Sequence, residues 1–142
     1  MADLSITAAN VAASTNAVLN KAYNFGATVT AGKALILDSS DSELKLADAS
    51  DAALDTVFGI ALNGGADGQP GVVQTGGDIN LGATLSVGKV YVLSGTAGGI
   101  MPIDDAVASG TLYCSVIGVA ISTSILRMGI INSGVEYAAD VE

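Results

Sequence analysis

Two Gly-Lys pairs, Gly32-Lys33 and Gly88-Lys89, are the residues in this chain most suggestive of chemistry. A glycine-rich loop with a lysine can bind phosphate, because its backbone N–H groups and the ammonium group face the anion together. The spacing argues against this function. Five residues, not four, separate each pair from the preceding glycine, and an apolar residue follows each lysine where a hydroxyl side chain is needed. We therefore predict no nucleotide site and no cofactor.

The acidic side chains between positions 38 and 55 are a second candidate, since Ca²⁺ takes six to eight oxygen ligands. They are Asp38, Asp41, Glu43, Asp48, Asp51 and Asp55. The run from 38 to 43 lacks the alternating acids and central glycine of a helix-loop-helix calcium site, and the sequence does not reproduce it further along. We predict a solvated acidic face and no metal.

The chain offers few of the residue combinations that commonly act in catalysis. The chain has no histidine, so a serine or cysteine nucleophile would lack its commonest base. Cys114 lies in an apolar strand pattern and is predicted to be a small buried hydrophobic residue. Asp104 and Asp105 are adjacent, and in a strand they would point to opposite faces. No catalytic residue is predicted, although an unrecognised carboxylate site remains an alternative.

A repeated motif is the strongest organising feature of the sequence. Gly26–Leu37 recurs as Gly82–Leu93 with six of twelve positions identical, and Val57–Leu62 recurs as Val116–Ile121 at nearly the same distance. A duplicated supersecondary unit explains both echoes. Each Gly-Lys pair is then a corner between strands, in which glycine adopts a positive φ and lysine solvates the edge.

Composition and repeat together predict the fold class. Half of the residues are hydrophobic, only 4% are aromatic, and 18 glycines accompany 2 prolines, as expected for short strands joined by glycine turns. We predict an all-β protein, a small barrel or sandwich of two duplicated β units with pseudo-twofold symmetry. The duplicated domain spans 26–142, with unit one at about 26–78 and unit two at about 82–135.

Residues 1–25 have a different texture and are predicted to form an N-terminal arm. The segment is rich in Ala and Asn and shows no clean helical or strand periodicity. Arms that cannot bury themselves commonly become ordered against a partner. The predicted partner-binding residues are its larger apolar side chains, Leu4, Ile6, Val11, Val18 and Leu19.

Charge narrows the classes of partner. Five basic against fourteen acidic residues give a net charge of -9, which disfavours nucleic acid and anionic membranes. No apolar run approaches the roughly 20 residues of a membrane span, and the first residues lack the pattern of a signal peptide. A lone cysteine forms no intrachain disulfide. We expect synthesis and folding in a cytoplasm.

The sequence resembles the capsid decoration (cement) proteins of tailed bacteriophages along nearly its whole length. The similar stretches are Met1–Val11, Gly26–Leu37, Ala47–Ser50, Val57–Gly64, Gly68–Pro70 and Gly88–Ser94. The resemblance implies a non-enzymatic virion protein on the outer capsid surface. It also implies a homotrimer that binds the major capsid protein and stabilises the shell. A carbohydrate-binding or adhesion module on the particle is the alternative, with a sugar platform if Tyr23, Tyr91, Tyr113 and Tyr137 converge.

Overall fold

The structure, a computed structural model, describes residues 3–107 and 112–137 and is nearly all β, with 44% strand and 5% helix. A 3-10 turn at Ala8–Asn10 and a short helix α1 at Ile103–Val107 accompany the strands. The strands are β1 Ala12–Ala13, β2 Val18–Asn20, β3 Ala34–Asp38, β4 Glu43–Leu46, β5 Gly59–Ala61, β6 Val73–Asn80, β7 Val90–Leu93, β8 Ile100–Pro102, β9 Tyr113–Ala120 and β10 Ile125–Glu136. The predicted all-β class is confirmed.

The strands form a curled antiparallel sheet in the order β4-β3-β5-β6-β10-β9-β7-β8. Each half contains a hairpin, then a strand from the second repeated motif, then a long strand at the centre. Read outward from β6 and from β10, the two halves therefore have the same order of equivalent strands. This is the arrangement expected when a duplicated unit packs against its own copy.

The repeated motifs pair with each other in the same register in both halves. Both hairpins also keep one register, because Leu37 faces Leu44 as Leu93 faces Ile100. The equivalent pairs between the two motifs are Ala34 with Ile60 and Leu35 with Gly59 in the first half, and Val90 with Val119 and Tyr91 with Gly118 in the second. The sequence repeat is therefore a structural repeat.

The two Gly-Lys corners have the same backbone structure. Gly32 has φ +95° and Gly88 has φ +82°, as predicted for glycines in these turns. The Gly32 N–H donates to the Ala61 carbonyl at 2.8 Å, and the Gly88 N–H donates to the Ala120 carbonyl at 2.8 Å. The predicted equivalence of the two turns is confirmed.

Strand β6 belongs to both halves of the sheet. Its first residues, 73–76, pair with β2 on one edge and β5 on the other. Its last residues, 77–80, pair with β1 and with β10. Strand β2 thus pairs with the start of β6 in the same way that the end of β6 pairs with the start of β10.

The predicted boundary between arm and domain at residues 25 and 26 does not separate two structural units. The first half of the sheet already includes β2, because without it one edge of β6 would have unpaired backbone groups. Phe25 is fully buried and centres a smaller core with Val29, Leu35 and Leu44. A larger core between the two halves contains the remaining buried side chains. Residues 138–142 of the predicted domain lie outside the described residues.

The predicted corner at Gly32-Lys33 has a strand on one side only, because residues 27–31 form no strand and make only an isolated bridge between Val29 and Gly65. Asp104 and Asp105 lie in α1 rather than in a strand, at the N-terminal turn where acidic side chains favour a helix.

Candidate functional site

The N-terminal segment, defined as residues 3–17, is held on the sheet by regularly spaced hydrogen bonds. The Leu4 N–H donates to the Ile100 carbonyl at 2.8 Å, and the Thr7 N–H donates to the Gly82 carbonyl at 2.8 Å. The Ser94 hydroxyl donates to the Asp3 carboxylate at 2.6 Å. The segment therefore crosses from the second half of the sheet toward β6.

Three predicted partner-binding side chains face the protein itself. Leu4, Ile6 and Val11 are half-buried and pack against the larger core. A Cβ placed on Gly32 would lie 2.6 Å from Ile6 Cγ2 and 3.2 Å from Val11 Cγ2. Glycine at position 32 therefore allows both the positive φ and the close packing of the segment. These three side chains are covered while the segment stays in place.

The other two predicted partner-binding residues face outward. Val18 is 57% exposed and Leu19 is 43% exposed, although their backbone pairs with β6. The structure thus divides the five predicted residues into an inward group of three and an outward group of two. Only Val18 and Leu19 are accessible to another molecule as the chain stands.

The loop between β1 and β2 explains the glycine at position 77 of β6. The Ser14 N–H donates to the Asp78 carbonyl at 3.0 Å, and the Asp78 N–H donates to the Asn16 side-chain oxygen at 3.0 Å. A Cβ on Gly77 would collide with the Asn16 backbone oxygen. The absence of a side chain at Gly77 therefore lets residues 14–17 lie directly over the centre of β6.

The equivalent turn of the second repeat is not covered by the part of the chain that the structure describes. A Cβ on Gly88 would meet no described atom within 4 Å, and the neighbouring Val87 is 65% exposed. Within the described residues, no strand pairs with the free edge of β10 after Met128, where Ile131 is 64% and Val135 is 62% exposed. Sequence reasoning missed these three side chains because each lies in or beside a predicted strand or turn.

Two carboxylates of the acidic face pair with a lysine ammonium group. Lys45 Nζ lies 2.7 Å from an Asp38 carboxylate oxygen and 2.8 Å from an Asp41 oxygen. The hydrogen bonds from Lys45 hold the pKa of Asp38 and of Asp41 below the usual range, and they raise the pKa of Lys45. Among residues 3–107 and 112–137, no cluster of three or more potential ligands could hold a metal ion.

Two further ion pairs occur near the second repeat. The Arg127 guanidinium donates to both Asp78 oxygens, at 2.9 and 3.1 Å, and this lowers the pKa of Asp78. Lys89 pairs with Asp104, which raises the pKa of Lys89. Each basic group is matched to one carboxylate, so these contacts tie strands and turns together.

A surface cavity of about 500 Å³ lies between β3 and the loop at 53–58. Its polar side chains are Asp38, Ser39 and Thr56, and its apolar side chains include Leu37 and Phe58. Asp38 is engaged by Lys45. The cavity combines no nucleophile with a free base, so its geometry favours no particular reaction.

The tyrosines do not form a common platform. Tyr91 is buried, and its hydroxyl accepts a hydrogen bond from the Ser86 N–H at 2.9 Å. Tyr137 is also buried, which raises the pKa of its hydroxyl. Tyr23 packs edge-on against Phe58 with ring centroids 6.0 Å apart. Convergence of all four rings on one exposed face is therefore excluded.

No protein-family model, curated protein or solved structure matches the chain. Within the described residues, no helix has the length and apolar character needed to cross a membrane. The exposed aliphatic side chains on the sheet are the feature of the surface that most resembles a binding site.

Proposed function

We propose that the protein is a structural virion component that binds the exterior of a tailed-bacteriophage capsid and stabilises the shell. The observation that carries this proposal is the set of exposed aliphatic side chains on a duplicated β domain. They are Val18, Leu19, Val87, Val119, Ile121, Ile131 and Val135. Exposed apolar surface of this kind marks protein-binding sites when it is contiguous.

The chemistry of the surface supports a protein partner. Charged residues make up 13% of the chain, about half the usual fraction, so most of the surface is small, polar and uncharged. Small uncharged side chains lose less solvation free energy than charged side chains when another protein covers them. The acidic net charge also disfavours competition for packaged DNA.

The proposed partners are the major capsid protein and two further copies of this chain. Local threefold positions of a shell suit a homotrimer, and the resemblance to decoration proteins points to that state. Val18 and Leu19 are the proposed contacts with the shell, since they project from β2 without a partner in the core. No enzymatic activity, nucleic-acid binding or membrane binding is part of the proposal.

Co-sedimentation with purified shells tests this function. Shells of the phage that encodes the chain, prepared without the protein, should bind it saturably and melt at a higher temperature when it is bound. A Val18→Asn, Leu19→Asn double variant should bind more weakly while its own unfolding temperature changes little. Failure of the wild-type protein to sediment with any such shell would refute the proposal.

Two further measurements decide the oligomeric state and the alternative function. Light scattering should give three times the 13.9 kDa chain mass if the protein is a trimer in solution. Specific signals on a glycan array would instead favour the carbohydrate-binding module. The buried position of Tyr91 removes its pairing with Tyr113 as an exposed sugar platform.

A further inference from the structure

The two structural repeats have the same backbone structure, but they differ in the residues that pack on their Gly-Lys turns. In the first repeat, the N-terminal segment lies on the Gly32 turn through Ile6 and Val11. In the second repeat, the Gly88 N–H makes the equivalent hydrogen bond to the second motif, yet no atom of residues 3–107 and 112–137 lies within 4 Å of a Cβ placed on Gly88. The first repeat therefore shows what an occupied turn looks like, and the second presents the same turn unoccupied.

The side chains of the uncovered turn are more apolar than those of the covered one. Ala31 stands before Gly32, whereas Val87 stands before Gly88 and is 65% exposed. Leu62, the last residue of Val57–Leu62, packs against the core, whereas its counterpart Ile121 is exposed. A larger aliphatic surface is thus exposed at the Gly88 turn, which the N-terminal segment does not cover.

The strand edges show the same difference. The second half of β6 is paired on both edges, with β1 of the N-terminal segment on one and β10 on the other. Strand β10 after Met128 is paired with β9 on one edge, and among the described residues no strand pairs with its other edge. The N-terminal segment therefore covers a turn and a strand edge in the first repeat, and both features are free in the second.

Copies of this chain cannot fill both places. Each chain supplies one N-terminal segment but contains two equivalent turns, so an exchange of segments between copies leaves as many turns empty as before. The backbone hydrogen bonds of Leu4 and Thr7 also hold each segment on its own chain. A different protein is needed to supply a second segment.

We infer that the second-repeat site, comprising the Val87-Gly88 turn and the free edge of β10, binds an extended segment of a partner protein. The occupant resembles the chain's own residues 4–13, which are uncharged and carry branched aliphatic side chains at Ile6 and Val11. Strand addition satisfies the backbone groups of β10, and the aliphatic side chains cover Val87. The identification of this partner as the capsid shell protein rests on the proposed function.

Local charge agrees with an uncharged occupant. The protein has a net charge of -9, yet residues 84–88 are all uncharged and Lys89 is already paired with Asp104. An acidic or a basic segment would gain no matching charge at this turn. Shape and apolar contact therefore define the ligand chemistry of the site.

A peptide with the sequence of residues 3–13 is a direct probe, because it carries the side chains that cover the equivalent turn. Titrated into the isotopically labelled full chain, it should bind saturably at one site and shift the amide resonances of residues 86–89. Val87→Asn should weaken binding about tenfold, the effect of losing one buried aliphatic side chain. Val87→Leu, which keeps the apolar surface, should retain binding.

Three outcomes would overturn the inference: no saturable binding, equal affinity in Val87→Asn, or shifts at residues 30–33, which would mean that the peptide displaces the chain's own segment. This titration contains no shell, so its result does not depend on the proposed function. In the shell assay, wild-type binding that Val87→Asn leaves unchanged would refute the shell protein as occupant. Shells that fail to bind wild type would refute the proposed function and leave the peptide result to decide the site.

Discussion

Alanine substitutions at Gly32 and Gly88 separate the cost of backbone strain from the cost of displacing the N-terminal segment. The two glycines have similar positive φ angles and equivalent hydrogen bonds. They differ in their surroundings, since a Cβ at position 32 would lie 2.6 Å from Ile6 Cγ2, whereas one at position 88 would contact none of the described residues. The second repeat thus provides an internal control for the first.

The expected magnitudes follow from that difference. Gly88→Ala should lower the free energy of unfolding by about 1–2 kcal/mol, the cost of a left-handed conformation for a residue with a Cβ. Gly32→Ala carries the same strain and must also move the branched side chain of Ile6. Overpacking of this kind costs about 1–3 kcal/mol more. We therefore expect Gly32→Ala to be the more destabilising variant by that amount.

Urea unfolding of both variants measures the difference, provided that the dependence on urea concentration is unchanged. Hydrogen exchange gives an independent measure, because the amides of Leu4 and Thr7 donate to the sheet and should exchange faster in Gly32→Ala alone. Adding Ile6→Ala to Gly32→Ala should produce a coupling energy of at least about 0.5 kcal/mol. Equal destabilisation of the two glycine variants, with unchanged exchange at Leu4 and Thr7, would refute the proposed packing.

Three further predictions concern the sheet. Gln74→Met should lower the free energy of unfolding by about 1–3 kcal/mol, because the buried Gln74 amide donates to the carbonyls of Gly76 and Asp78 at 3.0 and 2.8 Å; denaturant titration measures the loss, and unchanged stability would contradict it. Arg127 lowers the pKa of Asp78, so this pair stabilises the fold above the unfolded pKa of about 3.9 and the stabilisation is lost as the pH falls through the folded pKa; thermal melts of wild type should lose more stability on acidification than those of Asp78→Asn, and parallel curves would disprove the contribution. Removal of residues 1–25 should abolish cooperative unfolding in calorimetry, because it deletes β2 and the buried Phe25, whereas a sharp transition near the wild-type temperature would show that the sheet closes without them.

The repeated motif predicted the parts of the fold that depend on local sequence. A glycine between two apolar stretches needs no distant contact to favour a turn, and Gly32 and Gly88 both adopt the expected positive φ. Gly59 and Gly118 occupy equivalent positions in the two copies of the second repeated motif. A Cβ on Gly59 would strike the backbone oxygen of Gln74, and one on Gly118 that of Arg127, so the neighbouring strand lies close in both halves.

The role of residues 1–25 could not be predicted from local pattern. Strand β2 has three residues and pairs with β6 more than fifty positions away, so its pairing partner is set by the tertiary fold and leaves no periodic signal in the local sequence. Leu4, Ile6 and Val11 were predicted to bind a partner, whereas in the structure they pack against the chain's own core. The sequence contained no indication that the chain's own turn at Gly32 covers two of them.

The position of β6 has a mechanical consequence. Strands β2 and β10 run antiparallel to β6 and pair with its opposite ends. Tension applied to the chain where it enters β2 and leaves β10 therefore acts along the strands, across hydrogen bonds that lie perpendicular to them. The hydrogen bonds of each ladder must then break together in shear instead of opening one after another. Strand β6 therefore transmits the force between the two repeats.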